Sequence, residues 1–293
     1  MTNNKIILLA ETGSDIPQEL ADSLGVILIP MHVAMGDTTL NDGTFPPEDV
    51  CAYYDRTGKI PTTSGSTVYD FESVYQQIFE HNPNARVLHL AYSAITTCSY
   101  HSSELAIEDK AYKNQVRLVD TKQVSVGQCA VVTSVAMWLD NHPDATLDEA
   151  AAEAQKISEQ TKMCFIPQNL NYLRAGGRCS NATALVGNLL QLHPCIEIID
   201  GKLIADKKYR GKMDKLASTL LREFSDKHNL NREHIYFINT PYMDESIRTA
   251  LNHEAGALGF QKVTWLKTGC VITCHGGPGA FGIVGITGSQ KIS

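Results

Sequence analysis

Two hydroxyl-rich segments in the first third of the chain could bind an anion. Thr63 and Ser64 lie in the run 61–67, just before a predicted helix, and Thr97 and Cys98 lie where a predicted strand leads into another helix. The N-terminus of a helix offers unpaired N–H groups and a partial positive charge, and neighbouring hydroxyls add hydrogen-bond donors. The pattern predicts a site for a carboxylate or a phosphate, although helix capping alone also accounts for such runs.

Two glycine-rich segments in the second half of the chain add a histidine and an arginine. His275 opens the run 275–282, where glycines let the backbone turn tightly or approach a ligand. Arg174 opens the Arg-Ala-Gly-Gly-Arg run 174–178, in which two arginines could clamp a phosphate or a carboxylate. A structural loop histidine and solvated surface arginines are the competing interpretations.

Several functional classes lack their signature in this sequence. It contains no P-loop, no His-Glu-x-x-His motif and no Gly-x-Ser-x-Gly motif, which disfavours nucleotide hydrolysis, zinc proteolysis and α/β-hydrolase chemistry. The eight cysteines form no Cys-x-x-Cys pair, so we expect no metal site and no cofactor. The net charge of −7 disfavours nucleic acid as a partner. No apolar run reaches the roughly 20 residues of a transmembrane segment, and the start turns polar early, so we predict a cytoplasmic protein.

Apolar runs that alternate with helical patterns predict an α/β fold. In the first half, β-branched runs at 5–10, 26–30, 87–91 and 116–120 are typical of buried strands. Helical patterns separate them, which indicates a parallel sheet with helices on its faces. The helix predicted at 125–140 is mostly apolar, so we expect it to be buried.

The second half has a different pattern. Asp200-Gly201 between two apolar runs is a strong signal for an antiparallel hairpin. Helices predicted at 212–228 and 244–257 alternate with strands at 234–239 and 262–266. A sheet that contains both a hairpin and crossover helices is mixed in direction.

We therefore predict two segregated α/β domains. Residues 1–162 form the first, with the parallel sheet and the hydroxyl-rich loops, and residues 163–293 form the second, with a mixed sheet, the Arg-Gly-Gly-Arg loop and the His-Gly-rich loop. A cleft between two domains is a common position for a small ligand.

Taken in order, eight short motifs resemble those of the DegV family. They cover almost the whole chain, at residues 11–16, 30–33 with 42–43, 63–66, 93–100, 119–122, 170–180, 210–212 and 275–282. The sequence departs from the family pattern at Glu11, where Asp is usual, and at Gly65, where Gln is usual. It also has Thr97-Cys98-Ser99 where Ser-Gly-Thr is usual.

The resemblance implies a function and a set of site residues. The family includes the fatty-acid-binding subunit of bacterial fatty acid kinase, which implies one long-chain fatty acid held between the domains. By position, the carboxylate contacts are Thr63, Thr97 with the backbone at Cys98, and His275, with Ser64 in the same loop. Arg174 is implied near the head group and the kinase partner.

Three functions are compatible with these features. The resemblance implies a non-enzymatic lipid carrier that presents a fatty acid to an ATP-dependent kinase subunit for acyl phosphate formation, with transient membrane contact allowed. The alternative is a phosphotransferase or acyl hydrolase that uses His275 with a hydroxyl or thiol nucleophile, which would also need a group to orient the base. The third is a regulatory module for another anionic ligand.

Overall fold

The predicted α/β fold with two sheets is confirmed. The computed structural model describes residues 5–108, 112–179 and 192–288; Ser180, the last residue of the motif at 170–180, lies outside them. The described chain forms a four-stranded parallel sheet, a six-stranded mixed sheet and a small three-stranded sheet.

The first large sheet is parallel throughout and has the strand order β2-β1-β6-β7. Its strands are β1 (Ile6–Glu11), β2 (Val26–Ile29), β6 (Arg86–Ala91) and β7 (Val116–Asp120). The helices of this half are α1 (Gln18–Leu24), α2 (Glu48–Thr57), α3 (Val68–His81), α4 (Ser99–Glu108), α5 (Ser125–Asn141) and α6 (Leu147–Gln160). Because parallel neighbours need crossover connections, helices lie between successive strands of this sheet.

The small sheet was not predicted, and it changes the position of the first hydroxyl-rich segment. Its strands are β3 (His32–Met35), β4 (Thr38–Asn41) and β5 (Thr62–Ser64), in the order β4-β3-β5 and all antiparallel. The prediction that Thr63 and Ser64 lie in a loop at a helix N-terminus is therefore wrong. The cap of α3 is Thr67, which forms a capping box with Asp70.

The second large sheet has the order β10-β9-β8-β13-β11-β12. Its strands are β8 (Thr161–Ile166), β9 (Leu192–Ile199), β10 (Lys202–Arg210), β11 (Leu230–Asn239), β12 (Lys262–Lys267) and β13 (Phe281–Thr287), and its helices are α7 (Asn171–Gly176), α8 (Met213–Lys227), α9 (Glu245–Ala257) and α10 (Cys270–Gly276). The predicted hairpin joins β9 and β10, and both Asp200 and Gly201 have positive φ. This is the turn geometry that Asp-Gly favours.

Helix α5 lies between the two large sheets and packs against strands of both. This position explains why its residues are mostly apolar, and the predicted burial is confirmed for most of its length. One apolar cluster runs from Leu88 on the first sheet through Val131 on α5 to Tyr236 on the second. Because that core is continuous, the predicted division at residue 162 stays a prediction, although β8, the first strand of the second sheet along the chain, begins at Thr161.

A buried polar network centred on Glu11 lies at the carboxyl end of the parallel sheet. Glu11 Oε1 lies 3.3 Å from His89 Nε2, and Glu11 Oε2 accepts hydrogen bonds from Tyr92 N at 2.9 Å and Gln128 Nε2 at 2.8 Å. Burial alone would raise the pKa of Glu11, but His89 and these hydrogen bonds lower it below its usual value. Glu11 has a longer side chain than the Asp usual at this position in the family, and it reaches the backbone N–H of Tyr92, between β6 and α4.

The short helix α10 is attached at its start by two buried carboxylates. Asp15 Oδ1 accepts a hydrogen bond from Gly269 N at 2.6 Å, and Asp42 Oδ1 accepts one from Cys270 N at 2.8 Å. Burial raises the pKa of both carboxyls. Since Asp15 follows β1 and Asp42 follows β4, this contact joins loops of the first half of the chain to a helix of the second.

We expect Asp42→Ala to lower the free energy of unfolding by about 1–3 kcal/mol, because buried N–H groups at the start of α10 lose their acceptor. Urea unfolding followed by circular dichroism measures the change. Asp42→Asn keeps an acceptor oxygen and should lose less. Asp37→Ala, at an exposed position in the β3–β4 turn, is the matched control. An Asp42→Ala loss no larger than that of Asp37→Ala contradicts this account.

Candidate functional site

A cavity lies between the two large sheets, beside α10. Its interior offers about 90 Å³, and the empty space reaches about 820 Å³ when the open mouth out to solvent is counted. Its wall combines strands of the small sheet and of the second large sheet with residues that follow strands of the first large sheet. Half of the lining residues are apolar or aromatic: Met31, Tyr92, Val124, Met163, Phe165, Leu203, Ile238, Val271, Ile272, Ala280 and Phe281.

The structure brings Thr63 and His275 together at one wall of this cavity. Thr63 Oγ1 lies 2.9 Å from His275 Nε2, although the two residues are 212 positions apart. Strand β5 turns Thr63 inward and leaves its neighbours Thr62 and Ser64 exposed. His275 lies in the last turn of α10, so the carboxylates at the start of that helix also determine where the imidazole stands.

A second pair of hydroxyls lies beside Thr63. Thr97 Oγ1 lies 3.1 Å from Ser99 Oγ, and Ser99 Oγ accepts a hydrogen bond from Ser66 N at 2.9 Å. Gly65 leaves room for this pair, because a Cβ on Gly65 would lie 2.5 Å from Thr97 Oγ1. The departures from the family pattern at 65 and 97–99 are therefore in contact. Because Gly65 has no side chain, there is space for the hydroxyls of Thr97 and Ser99.

The remaining predicted residues take different positions. Ser64 contributes to the lining but its side chain is exposed, Cys98 is an exposed free thiol outside the lining, and Arg174 is exposed and also outside it. Arg178, at the other end of the same loop, lines the cavity instead. Its Nη1 donates a hydrogen bond to Gly176 O at 2.7 Å, which directs the guanidinium toward α10.

His275 is neutral at physiological pH. Burial lowers its pKa to about 4, and the positive charge of Arg178 adds to the effect. Its Nδ1 is buried without a hydrogen-bond partner among the described residues. The imidazole therefore offers one usable nitrogen, Nε2, which meets Thr63. An anion at this wall would be held by neutral donors together with the nearby guanidinium, and not by an imidazolium.

Three groups that position this site were missed at the sequence level. Asp15 and Asp42 dock α10, and Ser125, whose Oγ hydrogen-bonds Asp15 Oδ2, lines the cavity. Asp42 belongs to an Asp-Gly pair of the family pattern. The pattern identifies the residue but does not predict that it contacts the start of α10. Ser125 has a φ of 50°, a conformation that nothing in its neighbouring residues indicates.

Within the described ranges, no group of three or more His, Cys, Asp or Glu side chains is placed to hold a metal ion. Within the same ranges, no helix has the length and hydropathy to cross a membrane.

The fold and the cavity define a class: an α/β protein with two large sheets and a cavity between them. A model of the DegV family, described as "Uncharacterised protein, DegV family", matches residues 5–287. The chain therefore belongs to the DegV family.

Relatives agree with this assignment along the whole chain. A DegV domain-containing protein of Deinococcus radiodurans is 27% identical over 281 residues, covering 95% of this chain and 97% of the relative. A protein of Thermotoga maritima named fatty acid-binding protein is 28% identical over 289 residues, covering 95% and 96%. A solved DegV structure from Thermus thermophilus, described as binding fatty acid, superposes with a TM-score of 0.86 at 28% identity, covering 97% of this chain and 99% of that one.

The neutrality of His275 can be tested directly. In the ligand-free protein we expect its imidazole to stay unprotonated from pH 8 down to about pH 5, because burial depresses its pKa. In the unfolded chain histidines titrate near ~6.5. The unfolded state therefore binds a proton first, and this group's contribution to stability falls as pH drops from ~6.5 to about 4. Histidine NMR measures the titration.

The His275→Ala spectrum assigns the signal, and urea-unfolded protein provides the reference titration. A midpoint for His275 above pH 6 in the folded protein contradicts the interpretation of a buried neutral imidazole.

Proposed function

We propose that this protein binds a long-chain fatty acid, with the acyl chain in the cavity between the sheets and the carboxylate at the Thr63–His275 wall. The observation that carries the proposal is the division of the cavity wall. Apolar atoms form most of its surface. Among the hydroxyls that line it, Thr63 lies against His275 and Thr97 lies against Ser99, next to Gly65; Thr96, Ser125, Thr240 and Thr268 also line it. A ligand with a long apolar body and a single anionic end complements this arrangement.

The energetics favour such a ligand. Each methylene of an acyl chain removed from water contributes about 0.8 kcal/mol. A carboxylate is not buried without hydrogen-bond donors, and the hydroxyls of Thr63 and Thr97 can supply them. Arg178 adds a positive charge at the same wall, which favours the ionised form of the head group. DegV relatives of known structure are described as binding fatty acids, which supports the assignment by a separate route.

We further propose that the protein is a carrier that presents the carboxylate to an ATP-dependent kinase subunit, which forms the acyl phosphate. Two observations support this step. The sequence has no P-loop, so ATP would be supplied by the partner. The exposed Arg174 and the partly exposed loop around it lie near the cavity-lining Arg178, where a phosphate-handling partner could approach. The proposal places the protein in the cytoplasm, where ATP is available, with transient membrane contact for lipid exchange.

The geometry gives less support to the enzymatic alternative. A hydrolase or phosphotransferase that uses His275 as base needs a third group to orient the imidazole. Among the described residues His275 Nδ1 has no such partner. The thiol of Cys98 is exposed and outside the cavity lining, so it is not placed to act with His275 as a nucleophile.

We expect protein purified from lipid-containing cells to carry a fatty acid in roughly equimolar amount, because a ligand that binds only the folded state stabilises it, and the surface of the cavity is mostly apolar. Native mass spectrometry gives the added mass, and solvent extraction followed by gas chromatography identifies it. Delipidated protein should regain the same mass when a fatty acid is added back.

Two results count against this function. A co-purified anion that is not a lipid supports a regulatory module for another ligand. Protein that carries no fatty acid and takes none up after delipidation also rejects the carrier.

We expect Thr63→Val to weaken fatty acid binding by about one to two decades. The substitution keeps the side-chain shape and removes a hydrogen bond to a charged group, worth about 1.5–3 kcal/mol. A fluorescent fatty acid titration measures the affinity. Thr62→Val is the matched control, since Thr62 precedes Thr63 on the same strand but is exposed. Equal affinities for Thr63→Val, Thr62→Val and the unaltered protein contradict a head-group role for Thr63.

A further inference from the structure

Gly176, the last residue of α7, lies against the imidazole of His275. A Cβ built on Gly176 would lie 2.1 Å from His275 Nδ1 and 2.9 Å from Cε1. No side chain other than glycine's hydrogen therefore fits between this turn of the backbone and the ring. The contact joins α7 to α10, two helices that pack together.

Backbone conformation does not explain why residue 176 is glycine. The left-handed position that ends α7 belongs to Gly177, with a φ of 64°, and Gly176 is not among the residues with positive φ. An alanine at 176 would keep the helix and improve its intrinsic propensity. The imidazole of His275 occupies the space that a side chain at 176 would need, and this explains the glycine.

The same contact selects one tautomer of the neutral ring. The α-hydrogen of Gly176 that replaces Cβ points at Nδ1, and Nδ1 is buried without a hydrogen-bond partner among the described residues. A hydrogen on Nδ1 would meet that α-hydrogen and would also be an unsatisfied buried donor, which is costly. A lone pair on Nδ1 instead accepts a weak C–H contact. The hydrogen then belongs on Nε2, 2.9 Å from Thr63 Oγ1.

We propose that Gly176 is a positioning residue that holds His275 as the Nε2–H tautomer, so that Nε2 donates to Thr63 Oγ1 and the Thr63 hydroxyl hydrogen is left for the ligand. The identity of that ligand as a fatty acid carboxylate rests on the proposed function, whereas the tautomer does not. His275 then acts through Thr63: it occupies the acceptor side of the hydroxyl and directs its hydrogen toward the cavity. The neighbouring positive charge of Arg178 also disfavours a second proton on the ring.

The tautomer is observable by long-range ¹H–¹⁵N correlation NMR on ¹⁵N-histidine-labelled protein without ligand at pH 7. The two ring nitrogens of a neutral histidine give separate signals for the protonated and the unprotonated position, and His275→Ala identifies which signals to read. We expect the unaltered protein to show His275 protonated at Nε2. A His275 protonated at Nδ1 overturns the proposal, whatever ligand the protein binds.

Gly176→Ala tests the positioning role. The added methyl should expel the ring from its place, so that the His275 signals change to a mixture of tautomers and fatty acid affinity falls at least about tenfold, the loss of one hydrogen bond to the head group. In a His275→Ala background the same substitution should cause no further loss, because its effect acts through the ring.

Gly256→Ala is the matched control. Gly256 lies in α9, and a Cβ there meets nothing within 4 Å. This variant should leave both the His275 signals and the affinity unchanged. Wild-type His275 signals and wild-type affinity in Gly176→Ala overturn the positioning role.

Two further readouts keep the proposal separate from folding and from the proposed function. If Gly176→Ala does not fold, Thr63→Val replaces it: because the contact with Gly176 selects the tautomer, His275 should stay protonated at Nε2 in this variant, and a change to protonation at Nδ1 overturns the positioning role. If the unaltered protein binds no fatty acid at all, the proposed function fails, while the tautomer spectrum still supports or overturns the assignment for His275.

Discussion

The attachment of α10 to the first half of the chain is the constraint on which the site depends. Asp15 and Asp42, both buried, accept hydrogen bonds from N–H groups at the start of this helix. Those N–H groups have no partner inside the helix, and their alignment gives the helix start a partial positive charge. The two carboxylates satisfy both needs at once. Because α10 is only seven residues long, fixing its start also fixes His275 in its last turn.

From that attachment the rest of the polar wall follows. His275 meets Thr63 on the small sheet, and the ring leaves space only for a glycine at 176. On the other side of Thr63, Gly65 leaves space for the hydroxyl of Thr97. Glycines at 65 and 176 thus leave space for polar side-chain atoms of Thr97 and His275. A wall built in this way is rigid, because each group is held by packing as well as by hydrogen bonds.

The electrostatics of the wall match a ligand that brings its own charge. Asp15 and Asp42 accept hydrogen bonds at the start of α10, Asp15 also accepts one from Ser125 Oγ, and His275 is neutral. Arg178 is the cation that lines the cavity, within the part of the chain that the structure describes. A carboxylate placed among hydroxyl donors near this guanidinium is stabilised without an imidazolium. An apolar ligand without a charged end would leave these donors unsatisfied.

The sequence alone determined much of the architecture. β-branched runs separated by helical patterns predicted the parallel sheet, and Asp200-Gly201 predicted the hairpin of the second sheet. The apolar surface of α5 predicted its burial. These predictions succeed because strand alternation, turn conformation and amphipathicity are local properties, set by residues within a few positions of one another. Eight short motifs in a fixed order also indicated the family, although no single motif is specific enough to do so.

Tertiary structure decided what those motifs do. Thr63 was expected at a helix N-terminus, but pairing of β5 with β3 places it on a strand instead. Arg174 and Arg178 are equivalent in the sequence of their loop, and only the packing of α7 against α10 turns Arg178 to the cavity. The roles of Asp15, Asp42 and Gly176 come from contacts between residues about 100 to 250 positions apart. Contacts at that distance depend on how the two sheets enclose α5, and no local pattern records them.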